Sequence, residues 1–339
     1  MKINFLAIKE NLNMGSYRIW IHDINKIINE NFSKKEFCSK IVYDIRNIEN
    51  DCNVIILSKS LYRVASDVRR LYPDKKIGAI NVDCDYYNPD IDFVIVGSIE
   101  EYVSLSKYDN VFIVELIENK FENIKRKEHV DRDEYVIGYH GHHPHLFKFF
   151  PFLQKAIEKL NEESNIKLKV IIGDKNFVWK SGKPNIDNIE VLYYEDIDVI
   201  KEIQEFDVGV VPNVSDLRIF ENFKPISEFK NLEAGLNSTD YFLRFKNKTN
   251  PGRAYVLYQL GIPVIHDLSP SSFSFMQMTN KVSCAHDFES WYKELKGMMD
   301  SKKREEHSIE FYEVFKNHFN NKIRMLRFLE NLKSITLEK

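Results

Sequence analysis

The chain has 339 residues, of which 43% are hydrophobic and 29% charged, a balance typical of a globular protein of about two domains. Its 48 lysines and arginines against 51 acidic residues leave a net charge of −3, which excludes a global basic surface for nucleic acid. Membrane-spanning and disulfide-rich classes are also excluded, because no apolar run approaches ~20 residues and the four cysteines are widely spaced.

The first 120 residues alternate short apolar runs with segments of helix length. The apolar runs show no alternation of polar and apolar side chains, which is typical of parallel strands covered on both faces. These predicted strands are residues 3–8, 54–57, 77–81, 93–96 and 111–114. A helix is predicted to begin near Ser16, with apolar residues at helical spacing. Residues 1–120 are therefore predicted to form a doubly wound α/β domain.

A densely charged stretch without periodicity follows, and we interpret residues 121–134 as a solvated linker. The alternation of strands and helices then resumes, which predicts a second doubly wound domain over residues 135–301. Its predicted elements are residues 135–141, 147–160, 168–173, 189–194, 198–205, 207–212, 252–260 and 262–267. Residues 302–339 have aromatic and aliphatic side chains at steps of three or four, which predicts an amphipathic tail helix packed on the body.

The loops after the predicted strands are the expected binding regions. In an open parallel sheet, ligands bind beyond the carboxyl ends of the strands, where backbone amides and helix starts point outward. Two such sheets joined by one linker are expected to face each other across a central cleft. The loops expected to line it are residues 9–18, 81–90, 140–145, 212–230 and 266–275.

Four cations precede or open the helix predicted near residue 252: Arg244, Lys246, Lys248 and Arg253. Asn250 suits an N-cap and Pro251 suits the first helical position, which places Gly252 and Arg253 in the first turn. A cation in the first turn opposes the helix dipole, so this placement favours a bound anion such as a diphosphate. An ordinary solvated basic loop is the alternative interpretation.

The segment NPGRAYVLYQLGIPVI, residues 250–265, resembles the signature of GT-B glycosyltransferases. In that family a proline, a small residue and a lysine open a helix that runs through a glutamate to a Gly-x-Pro-Val-Ile turn and strand. Pro251, Gly252 and Arg253 match the opening, and Gly261 and residues 263–265 match the close. The resemblance implies a GT-B fold of two Rossmann-like doubly wound parallel-sheet domains and a nucleoside-diphosphate sugar as donor.

The resemblance also implies which residues bind the donor. In GT-B enzymes the start of this helix and a glycine loop after the first strand of the second domain contact the diphosphate. The residues implied to bind it here are Gly141, His143, Arg244, Thr249, Asn250 and Gly252. The resemblance implies that the positive charge of three residues assists catalysis by stabilising the departing diphosphate. These residues are His145, Lys248 and Arg253.

The chain departs from the family at two positions. Many retaining members carry two glutamates eight residues apart before the Gly-x-Pro turn, and here those positions hold Lys248 and Val256. Neither side chain accepts a hydrogen bond from a hydroxyl as a carboxylate does. Lys248 suggests extra neutralisation of the leaving diphosphate in place of a divalent metal, so we expect no metal and no cofactor.

Four histidines surround Gly141 after the strand predicted at residue 135: His140, His142, His143 and His145. GT-B enzymes contact the donor with a histidine in this loop, and a diphosphate would favour the charged form of the imidazole. A zinc site and a merely exposed loop are the other interpretations. No cysteine lies near these histidines in the sequence, which disfavours zinc.

In the first domain, Gly15, Ser16 and Arg18 follow the first predicted strand. GT-B enzymes often have a glycine-containing loop at this place, which implies an acceptor-side role for the three residues. The alternative is a simple N-cap by Ser16 with Arg18 facing solvent. We interpret His22 and Asp23 as surface residues because they lie away from the apolar stripe of the helix.

Asp83 and Asp85 form an Asp-x-Asp pattern, which holds a divalent metal in glycosyltransferases of another fold. We interpret the pair as a turn or an acceptor-side feature. The sequence leaves open whether one of these aspartates, Glu10 or Glu115 is the general base that deprotonates an acceptor hydroxyl.

Together these inferences predict a metal-independent glycosyltransferase with a nucleotide sugar as donor and a glycan or lipid-linked glycan as acceptor. The habits of the family suggest bacterial surface polysaccharide, such as capsule or lipopolysaccharide. We expect no nucleic-acid partner and a cytoplasmic location at the inner membrane face, with at most peripheral membrane association, because the amino terminus lacks a secretory signal. The alternatives are a nucleotide-sugar epimerase of the same fold, which needs no acceptor, and a non-catalytic two-domain protein that binds a free sugar.

Overall fold

A computed structural model describes residues 1–12, 14–59, 61–142, 146, 151–179, 183–212, 251–267 and 269–337. The chain divides into two compact units. The first contains Met1–Glu122, Asn250–Gly252 and Asn317–Lys339, and the second contains Asn123–Thr249 and Arg253–Lys316. Each unit has its own sheet and its own hydrophobic core.

The first unit alternates strands with short helices. Its strands are β1 (Lys2–Leu6), β2 (Cys38–Val42), β3 (Val54–Leu57), β4 (Lys76–Ile80), β5 (Phe93–Val96) and β6 (Val111–Ile113). Its helices up to residue 122 are α1 (Gly15–Tyr17), α2 (Ile24–Asn31), α3 (Ala65–Leu71) and α4 (Ile99–Ser104). A π-helical segment, Arg18–Asp23, joins α1 to α2, and 3-10 turns occur at Ile45–Asn47, Tyr62–Val64 and Asn119–Phe121.

Among the described residues, the strands of the first unit form one parallel sheet in the order β2-β1-β3-β4-β5-β6. Alternate side chains of each strand enter different cores. In β3, Val54 and Ile56 pack in a core with the isoleucines of α2, whereas Ile55 and Leu57 pack in a core with α3. Because both faces of the sheet are covered, its strands β3 and β5 are apolar throughout. The predicted doubly wound sheet is confirmed.

The second unit repeats this construction. Its strands are β7 (Tyr135–His140), β8 (Ile166–Ile172), β9 (Ile189–Tyr193), β10 (Val208–Val211), β11 (Val264–Asp267) and β12 (Cys284–Ala285). The helices that lie wholly or mainly in it are α5 (Pro151–Asn161), α6 (Val199–Gln204), α7 (Gly252–Leu260), α8 (Pro270–Met276), α9 (Phe288–Gly297) and α10 (Ser301–His318). Within the described part of the chain, these strands pair in parallel in the order β12-β11-β10-β7-β8-β9, which confirms the second predicted sheet.

Each sheet has a point at which the strand order reverses. In the first sheet, β2 and β3 lie on opposite sides of β1, and in the second, β8 and β10 lie on opposite sides of β7. The loops at such a point leave adjacent strand ends in opposite directions and open a crevice, where parallel α/β sheets bind ligands. We call these crevices the first switch point, after β1 and β3, and the second switch point, after β7 and β10.

The sequence did not predict β2 and β12, which occupy an edge of the first and of the second sheet. β2 (CSKIV) is mostly half-buried, and its Lys40 is exposed. β12 contains only two residues. Neither strand has an apolar run of the kind that predicted the others, because Ser39 and Lys40 interrupt β2 and β12 is too short.

The interpretation of residues 121–134 as a solvated linker needs correction, because part of this stretch is buried in the second unit. The Lys127 ammonium lies 3.4 Å from the Asp207 carboxylate, and both side chains are almost inaccessible. His129 donates from Nε2 to the carbonyl of Gly261, which follows α7, at 2.8 Å. A stretch of dense charge can therefore be a structural strap when its charged groups find partners in the interior.

The predicted tail helix is two helices, α10 and α11 (Asn321–Leu337), with Phe319 and Asn320 between them. The side-chain carbonyl of Asn320 accepts a hydrogen bond from the Ile323 amide at 2.9 Å and so caps the start of α11. Phe311 of α10 packs in the second unit, stacked on His307 and beside Tyr258. Helix α11 packs instead in the core of the first unit.

Candidate functional site

Gly141 and Arg253 meet at the second switch point. Gly141 directly follows β7 and has a φ of +130°, which residues with a Cβ rarely adopt. Its amide donates to the Ile171 carbonyl of β8 at 3.0 Å. A Cβ at position 141 would lie 2.6 Å from the Cδ of Arg253. Glycine is therefore required here by the backbone conformation and by the arginine side chain.

The Arg253 guanidinium contacts both sides of the second switch point. Nη2 donates to the carbonyl of Pro212, the residue after β10, at 2.8 Å, and Nη1 donates to the Tyr139 hydroxyl at 3.2 Å. The guanidinium carbon lies 5.5 Å from the centroid of the Tyr139 ring. The Tyr139 hydroxyl in turn donates to the His142 carbonyl at 2.7 Å. These contacts hold the positive charge in one orientation at the mouth of the crevice.

His140 fixes the backbone at the start of α7. It is the last residue of β7 and is buried, so it does not belong to an exposed loop. Its Nε2 lies 2.8 Å from the Arg253 carbonyl, which can only accept, so Nε2 carries the proton. Its Nδ1 then accepts a hydrogen bond from the Tyr194 hydroxyl at 3.0 Å. Two hydrogen bonds therefore tie Arg253 to the ends of β7 and β9.

A second buried histidine, His266, lies in β11. It is 1% exposed and shares a hydrogen bond with the Tyr258 hydroxyl. Burial, with a smaller contribution from the Arg253 charge, lowers the pKa of His266 to about 3. The imidazole is therefore neutral at physiological pH and adds no positive charge to the site.

Most of the predicted donor-site residues lie outside the described residues: His143, His145, Arg244, Lys248, Thr249 and Asn250. The structure does place three of the predicted residues. Gly252 is the first residue of α7, Arg253 is the second, and Gly141 lies against the Arg253 side chain. The roles of all nine residues in donor binding or catalysis stay predictions.

Sequence reasoning missed three residues that contact Arg253 or His140 at this site: Tyr139, Tyr194 and Pro212. Each lies within one residue of the end of a strand, which is the only signal the sequence offers for them. Their partners depend on strand order and on the face of the sheet, because successive side chains of a strand point to opposite faces. Neither property could be predicted from local sequence.

The first switch point holds a cavity of about 110 Å³. Its walls are mainly apolar and include Ala7, Met14, Tyr17, Ile21 and Ile80. Polar side chains also line it, including Lys9, Ser16, Ser58 and Lys59. Ser16 is the second residue of α1 and does not cap it, since the N-cap position is Met14 and has no side-chain cap. Gly15, the first residue of α1, has open space where a Cβ would be.

Two interpretations of side chains in the first helical segment need correction. Arg18 does not face solvent freely, because Nη2 pairs with Glu118 at 2.8 Å and Nη1 donates to the Leu12 carbonyl at 2.8 Å. Asp23 is only 6% exposed, and its carboxylate lies 3.0 Å from Nδ1 of His22. The π-helical segment carries both residues inward, which a regular helical period does not predict.

The two aspartates of the Asp-x-Asp pattern have different surroundings. The Tyr62 hydroxyl donates to the Asp83 carboxylate, whereas Asp85 is exposed. Within the residues that the structure describes, no group of three His, Cys, Asp or Glu side chains is placed to hold a metal ion. The zinc interpretation of the histidine cluster involves His143 and His145, which lie outside those residues.

Three solved structures show what this chain resembles. HepE of Anabaena, in complex with UDP and glucose, aligns with a TM-score of 0.60 and 9% identity over 98% of this chain and 100% of that chain. The lipopolysaccharide outer core galactosyltransferase WaaB aligns with a TM-score of 0.55 and 12% identity over 98% and 99%. A mutant of S. aureus TarM, in complex with fondaparinux, alpha-GlcNAc-glycerol and UDP, aligns with a TM-score of 0.55 and 11% identity. That alignment covers 84% of this chain, which spans only 55% of the TarM chain.

No family model matches the sequence, and no curated protein matches it. Alignments at 9–12% identity establish a shared fold and not a shared substrate. The strand order of each sheet is that of a doubly wound domain, and the alignments with HepE and WaaB cover nearly the whole of each chain. The chain therefore has the GT-B fold of glycosyltransferases, built from two Rossmann-like doubly wound domains.

Proposed function

We propose that this protein is a glycosyltransferase that binds a nucleoside-diphosphate sugar at the second switch point and transfers the sugar to a glycan acceptor. The observation that carries the proposal is the position of Arg253, a cation held in the first turn of α7 beside Gly141. Such a cation opposes the helix dipole, and a bound anion removes that conflict. HepE and TarM have UDP bound in structures of the same fold, which supports a nucleotide as the carrier of that anion.

In the proposed reaction, Arg253 stabilises the negative charge that develops on the diphosphate as the bond to the sugar breaks. Gly141 leaves room for the phosphates to approach the backbone, and Gly252 is proposed to contribute a backbone amide of the first helical turn. Lys248 and His145 are proposed to add charge, and the remaining donor contacts are proposed to come from His143, Arg244, Thr249 and Asn250. Positioning and charge stabilisation are then the whole catalytic contribution of these residues.

The acceptor and its pathway form the finer part of the proposal. WaaB is a lipopolysaccharide galactosyltransferase of the same fold, which supports a bacterial surface glycan such as lipopolysaccharide or capsule as the product. We propose transfer in the cytoplasm, at the inner membrane face, to a glycan that can be lipid-linked. Among the described helices, none has the length and apolar character needed to cross a membrane.

We also propose that transfer needs no divalent metal and no cofactor, since Arg253 and Lys248 are proposed to neutralise the leaving diphosphate. If EDTA leaves the rate of sugar transfer from the donor unchanged, the result supports this part of the proposal. Turnover that is lost in EDTA and restored by Mn²⁺ would contradict it and return attention to Asp83 and Asp85.

Titration of UDP by calorimetry tests the donor site. We expect Arg253→Ala to weaken UDP binding by about 10- to 150-fold, because charge-assisted hydrogen bonds contribute about 1.5–3 kcal/mol. Arg132→Ala is a matched control, since Arg132 is exposed and precedes β7, so it lies at the amino ends of the strands and not at their carboxyl ends. Equal UDP affinity in the wild type and in Arg253→Ala would remove the basis of the proposal.

A further inference from the structure

The cavity at the first switch point combines apolar walls with two cations. Ala7, Ile21 and Ile80 are almost fully buried side chains that contribute to its walls. A cavity of ~150 Å³ lined by apolar side chains binds a benzene molecule, which sets the scale. The present cavity of about 110 Å³ is therefore large enough for a short branched alkyl group.

Lys9 and Lys59 line the same cavity from the two loops that form the switch point. Lys9 follows β1 and Lys59 follows β3, and both side chains are exposed. Neither ammonium has an ion-pair partner among the residues that the structure describes. Glu10 belongs to the same loop as Lys9 but does not line the cavity. Among the described residues that line the cavity there are thus two lysines and no carboxylate. Glu10 acts on the lining residue Tyr17 only as the smallest cause, after burial and Tyr43, of the raised pKa of that phenol.

The loop after β1 continues the apolar surface outside the cavity. Ile8 is 59% exposed, Met14 51% and Leu12 43%. Single exposed apolar residues are ordinary, but these three lie within residues 8–14, and Ile8 and Met14 also line the cavity. A hydrocarbon chain that enters the cavity would find further apolar contacts along this loop.

These features select one class of occupant. A sugar ring would find few partners for its hydroxyls beyond Asn11, Ser16 and Ser58, because the walls are mainly apolar, and a pure hydrocarbon would use neither lysine. A hydrocarbon that ends in a phosphate matches both the walls and the cations. We infer that this cavity binds the prenyl or alkyl phosphate part of the acceptor, so that the acceptor is a lipid phosphate or a glycan linked to one. This inference rests on the proposed function, because it assigns the acceptor of the proposed transfer.

Calorimetric titration of the full chain with geranyl phosphate, geraniol and inorganic phosphate tests the inference. We expect geranyl phosphate to bind at least about tenfold more tightly than geraniol, because of charge-assisted contacts with the lysines. Inorganic phosphate alone should bind more weakly than geranyl phosphate, since it leaves the cavity empty. Lys9→Met/Lys59→Met should reduce the affinity for geranyl phosphate to that for geraniol.

Lys34→Met/Lys35→Met is the matched control. These exposed lysines precede β2 and so lie near the amino ends of the parallel strands, whereas the cavity lies at their carboxyl ends. This pair should leave the preference for geranyl phosphate unchanged. Equal affinities for geranyl phosphate and geraniol in the wild type would overturn the inference. An equal loss of preference in both lysine pairs would also overturn it, since the charge effect would then be general.

A UDP titration of the same protein separates this inference from the proposed function. UDP binding without geranyl phosphate binding overturns the lipid-phosphate site and leaves the donor site intact. Geranyl phosphate binding that depends on Lys9 and Lys59, without UDP binding, supports the cavity assignment and overturns the transferase proposal.

Discussion

The Cδ of Arg253 occupies the space beside Gly141 where a side chain would have to begin, 2.6 Å from the position of a Cβ. A side chain at position 141 and the Arg253 side chain therefore cannot occupy this space together. Because Gly141 also has a φ of +130°, neither a change of rotamer nor a small backbone shift accommodates a larger residue easily. The two segments act as one structural unit around the proposed diphosphate site.

Gly141→Ala should therefore displace the Arg253 side chain. We expect the free energy of unfolding to fall by about 1–3 kcal/mol from backbone strain, and UDP affinity to fall because the guanidinium moves. Urea unfolding and UDP titration measure the two effects. Gly173→Ala is the control, since among the described residues a Cβ at this position, in the loop after β8, would meet only Tyr194, at 3.9 Å. Equal effects of the two substitutions would contradict the prediction.

His140→Leu should destabilise the second unit and weaken UDP binding. It removes the hydrogen bonds of the imidazole with the Arg253 carbonyl and the Tyr194 hydroxyl, which together should lower the unfolding free energy by about 1–3 kcal/mol, at about 0.5–1.5 kcal/mol for each bond. Tyr194→Phe removes only the hydrogen bond to Nδ1, so we expect a smaller loss of about 1 kcal/mol. UDP titration and urea unfolding of both variants test this order. The reverse order would show that His140 does not position Arg253.

Acid should destabilise the second unit through buried histidines. Burial is the main cause that lowers the pKa of His129 to about 4, of His266 to about 3 and of His307 to about 4. As the pH falls below about 6.5, the unfolded chain binds protons at these residues that the folded chain does not, so stability is full above that pH and declines below it. Each histidine contributes up to about 1.4 kcal/mol of lost stability per pH unit, measurable by urea unfolding between pH 7.5 and 4.5.

His129→Gln tests one of these histidines separately. Glutamine can still donate to the Gly261 carbonyl but does not titrate, so the slope of stability against pH should decrease by about 1.4 kcal/mol per pH unit. A difference in unfolding free energy between the variant and the wild type at pH 7.5 does not affect this comparison, because only the slopes are compared. An unchanged slope would mean that His129 is not held neutral in the folded protein.

Lys127→Met should destabilise the protein far more than its place in a charged stretch suggests. It leaves the Asp207 carboxylate, which is 1% exposed, without its nearest ammonium. Breaking a buried pair costs about 3–5 kcal/mol, and we expect the lower end because Arg304 lies 3.8 Å from the same carboxylate. Lys125→Met, in an exposed pair with Glu128, should change the unfolding free energy by less than about 0.5 kcal/mol. Similar losses in both variants would restore the interpretation as a solvated linker.

The central strands were predictable because their burial is complete. Val54–Leu57 and Phe93–Val96 have the bounds that the apolar runs predicted, and every residue in them is buried. Helix α7 also begins and ends where Pro251 and Gly261 indicate. The strands β2 and β12 were missed because Ser39 and Lys40 interrupt the apolar pattern of β2 and because β12 has only two residues.

Local sequence settled most of the strand pattern and the fold class, because strands covered on both faces are mainly apolar. It also placed Gly141 after a strand and Arg253 in the first turn of a helix, as glycine, proline and N-cap preferences are local. Only the tertiary structure decided that Tyr139, Pro212 and the His140 imidazole meet Arg253, and that Lys127 is buried. Those contacts depend on strand order and on which interior groups lie nearby, and neither is encoded within a short window of sequence.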